Sequence, residues 1–292
     1  MKILVTGGQG QLGWELSRSV PDGIDPVILD RTALNITDAQ AVDALIRAQF
    51  PEVIINAAAY TAVDNAEREH ARAFAVNRDG VTHLARAAAA TGARLIHVST
   101  DFVFDGTSGQ PIRPDSPANP LGVYGASKWA GEESVRATLG GEELIVRTGW
   151  VYSAHGHNFV KTMLKLMADR RRLTLVADQI GTPTWARDLA RALWQFAQLP
   201  SARGAMHWSD AGVASWYDFA VAIREEASRL GLLDDEKEVT LVPVGTASYP
   251  TAARRPGFSV LDKESSWELL GWAPVHWVVN LRNMLRELRD NG

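Results

Sequence analysis

Apolar residues fall in short, nearly continuous runs through the first half of the chain, at positions 2–5, 25–29, 53–56, 95–99 and 144–147. Such runs suit strands whose two faces are both covered by helices. Between them, residues 11–20, 38–49, 67–91 and 125–138 have helical length and an apolar spacing near 3.6. Thr37 or Asp38 suits the cap of the second helix, and Gly92 ends the third. The alternation predicts an α/β fold built on a Rossmann-type, doubly wound parallel sheet. Beyond about residue 151 the pattern loosens. Helical stretches at 158–170, 185–198, 216–230 and 278–289 and a strand at 173–176 are separated by loops rich in Pro and Gly. We expect a main domain of residues 1–150 plus about 158–200. A smaller α/β lobe over about 201–292, with part of 150–158, would be partly interleaved with it.

The first strand runs into Thr6-Gly7-Gly8-Gln9-Gly10-Gln11-Leu12-Gly13 and then a helix. Gly7, Gly10 and Gly13 allow a tight turn, approach of backbone N–H groups to a pyrophosphate, and close helix–strand packing. The helix N-terminus favours the phosphate charge. Asp30 ends the next strand, where an acid can bind the adenosine ribose hydroxyls. These features make the main domain a dinucleotide-binding domain. Asp30 favours NADH because its carboxylate repels a 2′-phosphate. Arg31 either stacks on the adenine, attracts that phosphate, or is a solvated loop residue, so NADPH and NADH both stay open.

One Tyr-x-x-x-Lys pair occurs in the chain, Tyr124 and Lys128, at the start of a helix. The i,i+4 spacing puts both side chains on one face. A neighbouring ammonium stabilises a tyrosinate and lowers the phenol pKa, which makes Tyr124 a better proton donor. The preceding strand ends Ser99-Thr100-Asp101, which brings a hydroxyl to the sheet edge where ligands bind.

Composition narrows the class. The 292-residue chain is 46% apolar, enough for a sizeable core, and its formal charge of -4 comes without a block of like charge. No basic stripe suggests nucleic acid. The absence of Cys excludes disulfides, thiolate zinc sites and Cys nucleophiles, and suits a reducing cytoplasm. The first apolar run is too short for a signal peptide, and no stretch approaches the ~20 apolar residues of a membrane span. A cytoplasmic protein without a membrane partner is therefore expected. The ten Trp read mostly as core and interface residues.

The segments 6–13, 56–64, 99–106 and 124–128 resemble the extended short-chain dehydrogenase/reductases. Arg147-Thr148-Gly149-Trp150-Val151-Tyr152, Asn158-Phe159, the 178–184 segment and Ala253-Arg254-Arg255-Pro256 resemble, more narrowly, the dTDP-4-dehydrorhamnose reductases. The resemblance implies hydride transfer from NADPH or NADH to C4 of a dTDP-4-keto sugar. It implies Tyr124 as proton donor, Lys128 on the nicotinamide ribose, and Thr100 on the carbonyl oxygen. It also implies Asp101 and Trp150 on the substrate, and Gly10, Gln11, Leu12, Asp30, Ala59, Tyr60 and Thr61 on the cofactor. Arg254 or Arg255 suits the substrate pyrophosphate, since a guanidinium is planar and always charged.

Some members of the family hold Mg²⁺ through glutamates at a subunit contact. Glu15 and Glu287 match such positions, but Arg187 stands where a further acid is expected, so no metal is expected here. His155 and His157 read as solvent-facing loop imidazoles. A homodimer is the commonest assembly for such a chain. Two other readings share the scaffold: a nucleotide-sugar epimerase or dehydratase, and a non-catalytic NADP-binding regulatory subunit of methionine adenosyltransferase. The first would show no net cofactor consumption.

Overall fold

The computed structural model describes residues 1–234 and 239–291. Strands β1 (Lys2–Thr6), β2 (Asp25–Leu29), β3 (Val53–Asn56), β4 (Arg94–Thr100) and β5 (Leu144–Thr148) form the expected parallel sheet. A sixth strand, Gly204–His207, pairs parallel with β5 and completes the order β2-β1-β3-β4-β5-(Gly204–His207). Its short Gly-Ala-Met-His sequence carries no apolar run, and it lies in the stretch expected to form the smaller lobe. The strand order reverses at β1, so a crevice opens beyond the C-terminal ends of β1 and β3.

Helices cover both faces. The helix Gln11–Arg18 and the helix Ala186–Gln198 pack on one side, around Leu16, Leu189, Leu193 and Trp194. The helices Ala39–Gln49 and Val81–Thr91 bury Val42, Ile46 and Leu84 on the other. Asp38 caps Ala39–Gln49, its carboxylate accepting from the N–H groups of Gln40 and Ala41 at 3.0 Å. A separate core joins the helices Phe159–Asp169, Trp216–Arg229 and Trp277–Asn291 to the paired strands Arg172–Val176 and Thr240–Val244. The segment 158–176 thus packs with the C-terminal part of the chain, and the two parts are interleaved more deeply than the sequence pattern suggests.

The stretch 67–91 is not one helix. It begins at His70–Phe74, widens to a π-helical segment over Ala75–Gly80 and resumes at Val81–Thr91. Such widenings are rare and cluster at functional sites. This one turns Asn77 fully inward. Among the described residues, no helix is long and apolar enough to cross a membrane.

Candidate active site

The glycine-rich turn is built as the spacing requires. Gly7 has φ +76°, and a Cβ on Gly13 would meet the Gly7 carbonyl oxygen at 2.2 Å, so only glycine lets this helix sit so close. Gly10 caps Gln11–Arg18 without a side-chain acceptor, which leaves the first-turn N–H groups of the helix available to a phosphate. Leu12 packs into the core beneath, and Gln11 accepts from Asn158 Nδ2 at 2.9 Å. Beside the turn lies a cavity of about 340 Å³, lined among others by Gly7, Gly10, Arg31, Ala59, Tyr60 and Thr61. These residues fit a dinucleotide: the turn supplies N–H groups, and the cavity is open to an adenosine. Asp30 is engaged elsewhere. Its Oδ1 accepts from Thr32 and Ala33, its Oδ2 from Gln9 Nε2 at 2.8 Å, and these bonds hold its carboxyl below the usual range. Arg31, not Asp30, lines the cavity.

Thr100, Asp101, Tyr124 and Lys128 converge at the C-terminal end of β4. Tyr124 and Lys128 share the helix Val123–Leu139, whose first N–H is accepted by Glu67 Oε1 at 2.8 Å. Asn77 joins this helix to the loop carrying Tyr60. Its Oδ1 accepts from Tyr60 N, and its Nδ2 donates to Tyr60 O and Ser127 Oγ. Thr100 and Asp101 are buried, and the Thr100 hydroxyl donates to Asp101 Oδ1 at 3.0 Å.

The structure departs from the expected coupling of Tyr124 to Lys128. Burial pushes the Tyr124 hydroxyl up to about 12, and the neighbouring Asp101 adds to this while Thr100 opposes it. The Lys128 amine is turned into the sheet, donating to Val98 O at 2.7 Å and lying 3.3 Å from His97 Nε2. Burial pushes it down to about 8, with Glu132 opposing.

Burial likewise pushes Asp101 up to about 6 from its ordinary 3.8, against Ser259 and Thr100. A raised carboxyl pKa means that folding disfavours the charged form. The penalty is absent below about pH 4, grows as pH rises, and is complete above pH 6. Asp101→Asn keeps the acceptor and removes the charge, so it should stabilise the fold by about 3 kcal/mol at pH 7. Urea unfolding at pH 7 and pH 4 checks this; an equal gain at both would contradict the assignment.

On the substrate side, Trp150 adopts φ +52°, a left-handed conformation costing of order 1–3 kcal/mol in a non-glycine residue. Its indole stacks on Trp216 with centroids 3.5 Å apart and planes 3° from parallel. Trp216 also lines a cavity of about 590 Å³ with Phe159, Met163, Leu173, Gln179 and Arg255. Arg255 pairs with Asp64 at 2.7 Å, whereas Arg254 is exposed.

Several residues that shape the site carry no signal along the sequence: Asn77, His97, Glu132 and Trp216. Each acts through a partner distant in sequence, so no local spacing marks it. Around Glu15, the chain's own cations take the carboxylates: Arg18 lies 2.8 Å from Glu15 and 2.5 Å from Glu287, and Arg187 lies 3.6 Å from Glu287. His155 stacks on Trp14 with centroids 5.0 Å apart rather than standing free in solvent.

Residues 1–290 match the family described as RmlD substrate binding domain. The spore coat polysaccharide biosynthesis protein SpsK of Bacillus subtilis is 40% identical over 98% of this chain and 97% of its own length. A dTDP-4-dehydrorhamnose reductase of Burkholderia thailandensis is 40% identical over 99% of each chain. The crystal structure of dTDP-4-dehydrorhamnose reductase from Bacillus anthracis in complex with NADP superposes with a TM-score of 0.89. It is 34% identical, over 98% of this chain and 99% of that one. With the fold, the glycine turn and the Thr-Tyr-Lys set in place along the whole length, the chain belongs to the dTDP-4-dehydrorhamnose reductase family.

Proposed function

We propose that this chain reduces the C4 carbonyl of dTDP-4-dehydrorhamnose to the alcohol, with NADPH as reductant and Tyr124 as proton donor. The observation that carries the reading is the convergence of Thr100, Tyr124 and Lys128 where β4 ends, beside the crevice of the glycine turn. Bound NADPH supplies the hydride. The residues do the rest. The first-turn N–H groups after Gly10 hold the pyrophosphate, and Ala59, Tyr60 and Thr61 line the adenosine side. Thr100 donates to the substrate carbonyl oxygen, where negative charge develops as the hydride arrives. Tyr124, kept protonated by burial, gives its proton to that oxygen. Lys128 binds the nicotinamide ribose. The stacked Trp150 and Trp216 flank the substrate, and Arg255 faces its pyrophosphate from the larger cavity.

Incubating the purified protein with dTDP-4-dehydrorhamnose and excess NADPH should consume one NADPH per sugar and yield dTDP-rhamnose. Cofactor binding without net consumption would overturn the reading in favour of an epimerase or a binding subunit.

Arg31 supports the choice of NADPH. It lines the adenosine cavity, while the Asp30 carboxylate is turned to Gln9, Thr32 and Ala33. A hydrogen bond to a charged group contributes roughly 1.5 kcal/mol or more, so Arg31→Ala should raise the KM for NADPH about tenfold. The KM for NADH should stay unchanged. An equal rise for both cofactors would place Arg31 on the adenine instead.

A further inference from the structure

Behind Lys128 lies a chain of buried polar groups with a fixed direction. Asn56 Oδ1 accepts from Thr6 Oγ1 at 2.6 Å and from the backbone N–H of Ala58 at 3.1 Å. A backbone N–H only donates, so this atom is the amide oxygen and its partner is the NH₂ group. That NH₂ lies 3.0 Å from His97 Nδ1 and donates to it. His97 is wholly buried, and burial, the largest cause, holds it well below its ordinary pKa, so it is neutral. Because Nδ1 accepts, the ring proton of His97 is on Nε2. Nε2 faces the Lys128 amine at 3.3 Å. An ammonium has three donors and no lone pair, so it cannot accept from Nε2–H. A neutral amine can, while still donating to Val98 O at 2.7 Å.

We propose that His97, oriented by Asn56, is a seat for Lys128 in its neutral form only, and that protonating the amine releases it from His97 toward the active-site crevice. His97 is then a positioning residue. It holds the lysine withdrawn from the crevice, and the proton that the amine acquires is what frees it to bind a ribose hydroxyl. The charged groups around the pair fit this account. Glu132 and Arg136 share the helix of Lys128, and the Glu132 charge is taken up by Arg147 from β5 and by Arg136. The side chains reaching the pair from β1 and β3, Thr6 and Asn56, are uncharged. Asp101, at the end of β4, acts on Tyr124. With Lys128 pushed down to about 8, the change falls at that pH: the amine is released below it and seated above it.

The inference builds on the assignment of Lys128 to the cofactor, but its first test uses neither cofactor nor substrate, so the two fail separately. In ¹⁵N-labelled full-length protein, a long-range ¹H–¹⁵N correlation reads the His97 tautomer. We expect a pyrrole-type Nε2 and a pyridine-type Nδ1 at pH 7 and pH 9. The opposite tautomer, or an imidazolium, would overturn the proposal without need of any variant. The second test reverses the chain. In Asn56→Asp the carboxylate accepts only, so His97 should move its proton to Nδ1 and present Nε2 as an acceptor to an ammonium. The ¹³Cε titration of Lys128 should then move up by at least about one pH unit. The alkaline limb of kcat/KM should move with it. An unshifted Lys128 titration in a folded variant would show that His97 does not control the amine.

Discussion

Tyr124→Phe is expected to lower kcat about a thousandfold, within the range for loss of a positioned general acid, while the dissociation constant for NADPH stays unchanged. The substitution deletes one oxygen and leaves the ring, which packs edge-on against Phe102 with centroids 5.5 Å apart. The fold and the glycine turn therefore remain, and binding energy at the pyrophosphate and adenosine is untouched. On the proposed reaction, what is lost is the proton for the new alkoxide. Because burial holds the natural phenol up to about 12, it stays protonated throughout the neutral range. Its own ionisation then cannot account for an activity change near pH 8, where Lys128 titrates. Fluorescence titration of NADPH together with steady-state turnover separates the two effects. A variant retaining a tenth or more of the activity would remove Tyr124 from the reaction.

The second large effect is on stability. Glu132 is fully buried and accepts from Ser99 Oγ at 2.5 Å, from Arg147 Nε and Nη2 at 2.9 and 2.7 Å, and from Arg136 Nη2 at 2.8 Å. Arg147 is only 2% exposed, so removing Glu132 strands a buried guanidinium. Breaking one half of a buried pair costs about 3–5 kcal/mol, and Glu132→Ala should lose that much in urea unfolding at pH 7. Burial raises the Glu132 pKa, but the hydrogen bonds and charge of Arg147, with Ser99 and Arg136, reverse this and leave it below its ordinary 4.5. A depressed carboxyl pKa contributes stability above the unfolded value and loses it as pH falls through the folded one. The gap between the natural chain and the variant should therefore narrow below about pH 4. The pair also matters to the site, because Ser99 precedes Thr100 and Arg147 lies on β5, where Thr148 pairs with Thr100. A loss below about 1 kcal/mol would mean that water rescues Arg147.

Much of this architecture was legible along the chain because it depends on neighbours. Strands β1 to β5 show as mostly apolar runs, as strands in a parallel sheet flanked by helices do. The glycine turn shows because its steric demands fall on residues three apart, and Tyr124 with Lys128 shows because one helical turn separates them. The strand Gly204–His207 did not, because an edge strand this short is selected by β5 beside it and not by its own four residues. Nor did the π-helical segment, whose inward turn of Asn77 is set by Tyr60 and Ser127.

The sequence by itself determined the parallel sheet, the glycine turn at the end of β1 and the placing of Tyr124 and Lys128 on one helical face, because each follows from local spacing and residue chemistry. Only the tertiary structure decided their states. It turned Asp30 onto Gln9, Thr32 and Ala33, and left Arg31 facing the cavity. It drew the Lys128 amine onto Val98 and His97, and raised Tyr124 where the Tyr–Lys spacing alone predicts a lowered pKa. The physical reason is that a protonation state depends on desolvation and on the direction of hydrogen bonds. Both are set by groups that folding brings together from β1, β3, β4 and the helix Val123–Leu139.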